Sequence, residues 1–296
     1  MPISESQLET WSHAGAQEQS KNTYASIKAT LEDTAAPYVI REFDTFLQGS
    51  YGNSTNIYAD SDVDIVIRLS SINYFDVSQL NAGDKERFDK HRSPGSYSQK
   101  TFKEEVFSWL TQKYGSGVKA GKKAIFVPGN GTRRDADVLV CTRHLRYTSY
   151  PAETGPVYRD GICFWTSDGD KIVNYPKRHL ENCTTKNQSS STRFKSNVRI
   201  FKNWRNRMVK DGYLGSGVAP SYFIEGMLWN IPNQNFVSSY QQTFLNCMAW
   251  LKQCDPQELL CASQYHYLLR TNSKVCWNTD DYNQFRSALV QHWNDS

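Results

Sequence analysis

The apolar positions of this chain change period along its length. Between residues 4 and 33 they are widely spaced (Leu8, Trp11, Ala14, then Tyr24, Ile27, Leu31), which predicts one long or broken helix. Segments 44–50 and 62–69 carry the period of two that predicts strands on either side of a Gly-Ser loop. Residues 101–114 have helical spacing, and 122–127 with 135–142 predict a hairpin around the turn formers PGNGTRR. Two further short strands are expected near 161–166 and 170–175. From Pro176 onward the pattern is helical, with Phe194, Val198, Phe201, Trp204 and Met208 along one stripe. The fold class is therefore α+β: a mixed-sheet lobe over 1–175 with an N-terminal helix, then a helical lobe over 176–296. A cleft between two such lobes is the natural ligand site.

The 39% apolar and 13% aromatic content sustains a large core and argues against disorder. A net charge of +4 is too small for wholesale coating of nucleic acid, so any anion site should be a local basic patch. The seven cysteines are odd in number and form no C-x-x-C, which points to free buried thiols rather than disulfides or a zinc cluster. The N-terminal stretch shows neither a basic n-region nor an apolar h-region. Residues 226–251 are uncharged but hold Pro232 and several amides, so they predict a broken buried helical region, not a membrane span. A cytoplasmic monomer without a membrane partner is expected.

Candidate chemistry centres on QGSYGNSTNIYADSDVDIVIRL, residues 48–69. In DVDIVIRL, Val63, Ile65, Ile67 and Leu69 share the core face, and Asp62 and Asp64 share the other. Two neighbouring carboxylates repel, and a hard divalent cation would compensate them; the alternative is an edge strand carrying acids for solubility. The small, polar GSYGNST loop before them can bring backbone N–H groups to phosphate oxygens. A Gly-Ser loop followed by an acid pair on a strand resembles the start of the DNA polymerase β-like nucleotidyltransferase active site. That superfamily needs a third acid on a neighbouring strand, for which RRDADVLV offers Asp135 and Asp137. Asp137 opens a hydrophobic strand, as the family's acid does, whereas Asp135 has pairing with Arg133 or Arg134 as its other role.

Farther on, Lys195, Arg199 and Lys202 make a cationic stripe beside the apolar one. It is either a solvated face or a source of a lysine for a leaving pyrophosphate. APSYF places Ser221 and Tyr222 at a helix start opened by Pro220, where phosphate can meet backbone N–H groups; Tyr222 can stack on a base or fill core.

Taken in order, MPISESQLETWSHAGA, LQGSYGNSTNI, DSDVDIVI, ADVLVC, VNYPKRHLEN, KNQ, RIFKNWRN and APSYF resemble the bacterial CD-NTases, relatives of cyclic GMP-AMP synthase. The likeness is greatest to the clade of cyclic UMP-AMP and cyclic dipyrimidine synthases. It implies that Asp62, Asp64 and Asp137 hold two Mg²⁺ ions (Mn²⁺ able to substitute) and that Asp137 helps activate the attacking hydroxyl. It further implies Gln48, Ser50 and Asn53 along the donor phosphates and sugar, Lys202 and Ser221 on the triphosphate, Tyr222 stacked on a base, and Asn174 reading the acceptor-side base. UTP with ATP or a second UTP would be the substrates, and a separate effector protein would answer the product in CBASS anti-phage defence. The chain lacks a His/Cys zinc module and strong basicity, so no nucleic-acid activator is expected. The same acids would equally serve a transferase acting on RNA or protein, or a nucleotide-binding remnant.

Overall fold

The computed structural model describes residues 3–15, 17–58 and 62–296, so the Asp60-Ser61 part of the DSDVDIVI motif lies outside the described residues. The chain divides into two compact units, neither continuous in sequence.

The sheet unit comprises Glu18–Gln48 and Asp62–Pro176. Its strands are β1 (Phe43–Leu47), β2 (Val63–Asp76), β3 (Lys119–Ala120), β4 (Ile125–Val127), β5 (Ala136–Ser149), β6 (Val157–Trp165) and β7 (Lys171–Asn174). They form a single sheet in which β2 and β5 are parallel neighbours at the centre. β4 pairs with the start of β5, and β6 takes over that edge farther along. The expected hairpin around PGNGTRR is thus the β4–β5 pair. Strand β2 outruns its expected end by seven residues, because β5 continues beside it past an irregularity between Leu69 and Asn73.

Three helices belong to this unit: α2 (Glu18–Leu31), α4 (Ala82–His91) and α5 (Gln99–Tyr114). Helix α2 packs on β1 and β2 and helix α5 on β4 and β5; Ile27, Leu31, Phe102, Val106 and Leu110 are fully buried, as are Val63, Ile65 and Ile67 of β2. Each such side chain contributes about 1.5–3 kcal/mol when removed from water. The opposite face of β2 is also covered beyond Asp64. Val66 is buried there, and the guanidinium of Arg68 bridges Asp44 at 2.7 Å and Asp160 at 3.1 Å.

The helical unit comprises Met1–Gln17, Gly49–Ser61 and Lys177–Ser296. Its helices are α1 (Glu5–Ser12), the four-residue α3 (Gly49–Gly52), α6 (Pro176–Ser189), α7 (Arg193–Lys210), α8 (Ser221–Asn230), α9 (Tyr240–Gln253) and α10 (Thr279–Asp295). The stripe on α7 is the core: Phe194, Val198, Phe201, Trp204 and Met208 are fully buried, and Trp204 lies 4.4 Å from the Phe244 ring. The uncharged 226–251 stretch becomes the end of α8, a single 3₁₀ turn after Pro232, and most of α9.

The N-terminal helical pattern is broken into α1 and α2, and the break has a structural consequence. Sequence order put the first 175 residues in one lobe; α1 instead packs on α7 and α9 within the helical unit. Glu5 caps α9 by accepting from the backbone N–H groups of Tyr240 at 2.6 Å and Gln241 at 3.0 Å. Such tertiary capping is invisible in a local pattern. All seven cysteines are free, and five of them are buried, as expected. Among the described residues no helix is long and apolar enough to cross a membrane.

Candidate active site

Each group of site residues is built within one unit. In the sheet unit, the parallel register places Asp64 directly opposite Asp137, with Val63 beside Ala136 and Ile65 beside Val138. Neighbouring strands lie about 4.8 Å apart and partners in register project to the same face, so the two carboxylates share one side of the sheet. Asp62 immediately precedes β2; it is exposed, while Asp64 and Asp137 are half-buried. Burial first, then the negative charges of Asp62 and Asp135, push the Asp137 carboxyl above its ordinary value. Asp62 and Asp135 thus act on Asp137 as like charges at an unfavourable electrostatic cost.

Asp135 does other work. Its carboxylate accepts from the Gly129 N–H at 2.6 Å, and its carbonyl accepts from Val63 N–H at 3.0 Å. It closes the hairpin loop, where pairing with Arg133 or Arg134 was the expectation. Arg133 lies over the Tyr114 ring, 4.3 Å from its centroid.

The backbone N–H of Gln48 donates to the Asp64 carbonyl at 3.0 Å, so the strand carrying the acids also fixes the entry to the Gly-Ser loop. The Gln48 Oε1 is buried and finds no hydrogen-bond partner among the described residues. A buried orphan acceptor is costly and marks a position where a bound group would complete the structure. Strand β1 ends earlier than its pattern predicted because Gly49 takes φ +63°, a left-handed conformation that glycine adopts without strain.

Asn174, the last residue of β7, is half-buried and pairs in register with Ile162 of β6. Its Oδ1 accepts from the Tyr175 N–H at 2.8 Å, which orients the amide. Gly161 makes this possible, since a Cβ there would sit 2.7 Å from the Asn174 carbonyl oxygen and 2.8 Å from the Tyr175 ring.

In the helical unit, residues 49–58 carry Ser50 and Asn53 and are held from beneath by the cationic stripe of α7. Lys202, expected at the triphosphate, is fully buried, and its Nζ donates to the Thr55 carbonyl at 2.9 Å. Arg199 donates to the Ser54 carbonyl at 2.7 Å and to the Ser12 carbonyl. The stripe is therefore not a solvated face. It fastens both the loop and the end of α1. Asn53 is buried and donates through Nδ2 to Glu225 at 2.8 Å.

Ser221 opens α8 and its Oγ accepts from Arg205 at 3.3 Å. Tyr222 is half-buried, with its ring stacked on His179 at a centroid distance of 4.8 Å and 24° between planes. Burial, then Cys261, hold its hydroxyl well above the ordinary value, so it remains a neutral phenol. The sequence reading missed Glu225 and His179. His179 lies in VNYPKRHLEN and Glu225 two residues beyond APSYF, but a lone Glu in an apolar helix and a lone His carry no signal of being paired.

The residues fit a divalent cation. Asp64 and Asp137 on one strand pair and Asp62 just before β2 supply hard oxygen donors; burial, then the like charges of Asp62 and Asp135, raises the Asp137 carboxyl, and a cation would offset those like charges.

Comparison with known proteins agrees with this fold. Residues 181–294 match the family described as cGAS/DncV-like nucleotidyltransferase C-terminal helical domain. The chain is 39% identical to the cyclic UMP-AMP synthase of Rhodothermus marinus, over 88% of each chain. It is 32% identical to the cyclic nucleotide synthase CdnE01 of Staphylococcus haemolyticus over the full length of both. The solved structure of Rhodothermus marinus CdnE c-UMP-AMP synthase with Apcpp and Upnpp superposes with a TM-score of 0.87 at 34% identity, covering 99% of this chain and 97% of that one. With the sheet, the acid-bearing strands and the helical unit all accounted for, the chain belongs to the CD-NTase family of cGAS/DncV-like nucleotidyltransferases and is an enzyme of that class.

Proposed function

We propose that the chain is a Mg²⁺-dependent cyclic dinucleotide synthase that joins UTP and ATP into cyclic UMP-AMP, a second messenger for anti-phage defence of the CBASS type. The observation that carries this reading is the register of Asp64 against Asp137, with Asp62 one residue before β2. The relative that uses the name cyclic UMP-AMP synthase supports the choice of product.

In each of two steps a ribose hydroxyl oxygen attacks an α-phosphorus, the bond to the β-phosphate oxygen breaks, and pyrophosphate leaves. Asp62, Asp64 and Asp137 would hold two Mg²⁺ ions, which supply charge neutralisation at the attacking and leaving oxygens. Asp137, in register with Asp64 on the neighbouring strand, is the proton acceptor for the attacking hydroxyl. Gln48 and Ser50 bind donor phosphates and sugar, and Ser221 meets the triphosphate at the α8 N-terminus. Asn53 and Lys202 serve the same site through the loop they hold in place. Tyr222 gives a flat surface for a base. Asn174 reads the acceptor-side base, where one amide offers both a donor and an acceptor to uracil. The synthase acts as a monomer without a nucleic-acid activator, and its product acts on a separate effector protein.

The test is incubation with each pair of α-labelled triphosphates and Mg²⁺, followed by phosphatase. A phosphatase-resistant product that requires UTP and ATP is expected. A phosphatase-sensitive ladder would overturn cyclisation, and a resistant product formed without UTP would overturn the assignment of substrates.

A further inference from the structure

Glu225 lies on α8, in the interior of the helical unit, and is 2% exposed. Burying a carboxylate costs several kcal/mol unless its oxygens are fully paired. Here they are. Oε2 accepts from Asn53 Nδ2 at 2.8 Å and from His179 Nε2 at 2.6 Å, and Oε1 accepts from the Thr55 hydroxyl. Burial pushes the carboxyl up, but His179, Thr55 and the Lys202 ammonium outweigh it and hold it below the ordinary range. The same Lys202 donates to the Thr55 carbonyl, and the His179 ring lies under Tyr222.

The partners of this one carboxylate are unusual in what they carry. Asn53 and Thr55 set the shape of the loop that begins with Ser50, and His179 backs the Tyr222 ring. If the acid served packing alone, any apolar residue of similar volume would fill the space at lower cost. The ligand atoms of His179, Cys183 and Glu225 do lie within 4.8 Å of one another. A metal is nevertheless a poor occupant, because protein donors already take the carboxylate and burial holds the Cys183 thiol well above its ordinary value.

We propose that Glu225 is a positioning residue that sets the donor-phosphate loop through Asn53 and Thr55 and the base platform through His179. The proposal rests on the nucleotide-binding reading above, and it assigns this buried acid a part in substrate binding. The Glu225→Gln change keeps the volume but aims an N–H₂ group at existing donors.

The experiment uses the full chain, with folding checked by thermal melting. E225Q is expected to lower kcat/KM for pyrophosphate release by about tenfold or more, chiefly through KM for the triphosphate. Its affinity for a non-hydrolysable UTP analogue, read by calorimetry, should fall to a similar degree. In the Asn53→Ala background the same change should cost clearly less than it does in wild type, because the part of its effect that runs through the loop is already lost, while the part that runs through His179 remains. Full additivity in the double variant, or an E225Q enzyme within about twofold of wild type, overturns the proposal. Should E225Q fail to fold, Thr55→Val removes a single donor and should raise KM by about threefold or more; an unchanged KM overturns the proposal. Should the wild-type chain release no pyrophosphate from any triphosphate pair, the synthase reading fails, and the analogue-binding comparison still decides the role of Glu225.

Discussion

Asp64 and Asp137 face the same side of the sheet as register partners on adjacent parallel strands, although 72 residues of chain separate them. Nothing local brings them together. The parallel pairing of β2 with β5 does, and the helices and the β3–β4 ribbon between them supply the connection such pairing needs.

The first expectation concerns this pair. Asp137→Asn should lower the rate of pyrophosphate release by about 10²–10⁴-fold, the range for losing a positioned proton acceptor. It should also raise the melting temperature of the metal-free protein, because it removes a half-buried charge repelled by Asp62 and Asp135. Mg²⁺ should then raise the melting temperature of wild type more than that of the variant. A variant that keeps wild-type turnover would remove Asp137 from the mechanism.

Base choice should respond to Asn174. Its amide is oriented by the Tyr175 N–H, so Asn174→Ser removes an aligned donor and acceptor while sparing the backbone. The kcat/KM ratio for UTP over purine triphosphates should fall about tenfold to a hundredfold, corresponding to about 1–3 kcal/mol for polar groups left unpaired. Competition between labelled UTP and GTP measures it, and an unchanged ratio would count against the assignment.

Lys202→Met tests the buried ammonium. The change strips the Thr55 carbonyl of its donor and removes the Lys202 charge that, with His179 and Thr55, offsets the buried Glu225. Breaking such a buried pair costs about 3–5 kcal/mol. Denaturant melts should therefore show a clearly less stable variant; a loss below about 1 kcal/mol would mean that the ammonium is not holding the loop.

Glu225 should make stability depend on acid. Its folded-state carboxyl lies below the ordinary 4.5, so its contribution is complete above that pH and is lost as pH falls through the folded value. As pH falls below 4.5, the melting temperature of wild type should drop more steeply than that of E225Q, which lacks the titrating group. Parallel curves would show that the carboxylate is not held ionised.

Local pattern was enough to place most of the strands and to single out the acids as candidates. Period-two alternation placed Asp62 and Asp64 away from Val63, Ile65 and Ile67, and i, i+3/i+4 spacing picked out the buried stripe of α7. The cationic stripe of the same helix was visible as a stripe but not in its role. Whether Lys202 meets solvent, a phosphate or the Thr55 carbonyl depends on a segment some 150 residues earlier in the chain. For the same reason α1 read as part of the first lobe, when its partner is the capped end of α9.

The sequence by itself determined which residues could form strands, helices and turns, and which carboxylates and hydroxyls stood available for phosphate chemistry, because those depend on neighbours along the backbone. Tertiary structure alone decided that Asp64 lies beside Asp137, that Asp135 closes a loop, and that Glu225 becomes the buried partner of Asn53, Thr55 and His179. Those outcomes depend on strand register and on desolvation, and both arise only when distant segments pack.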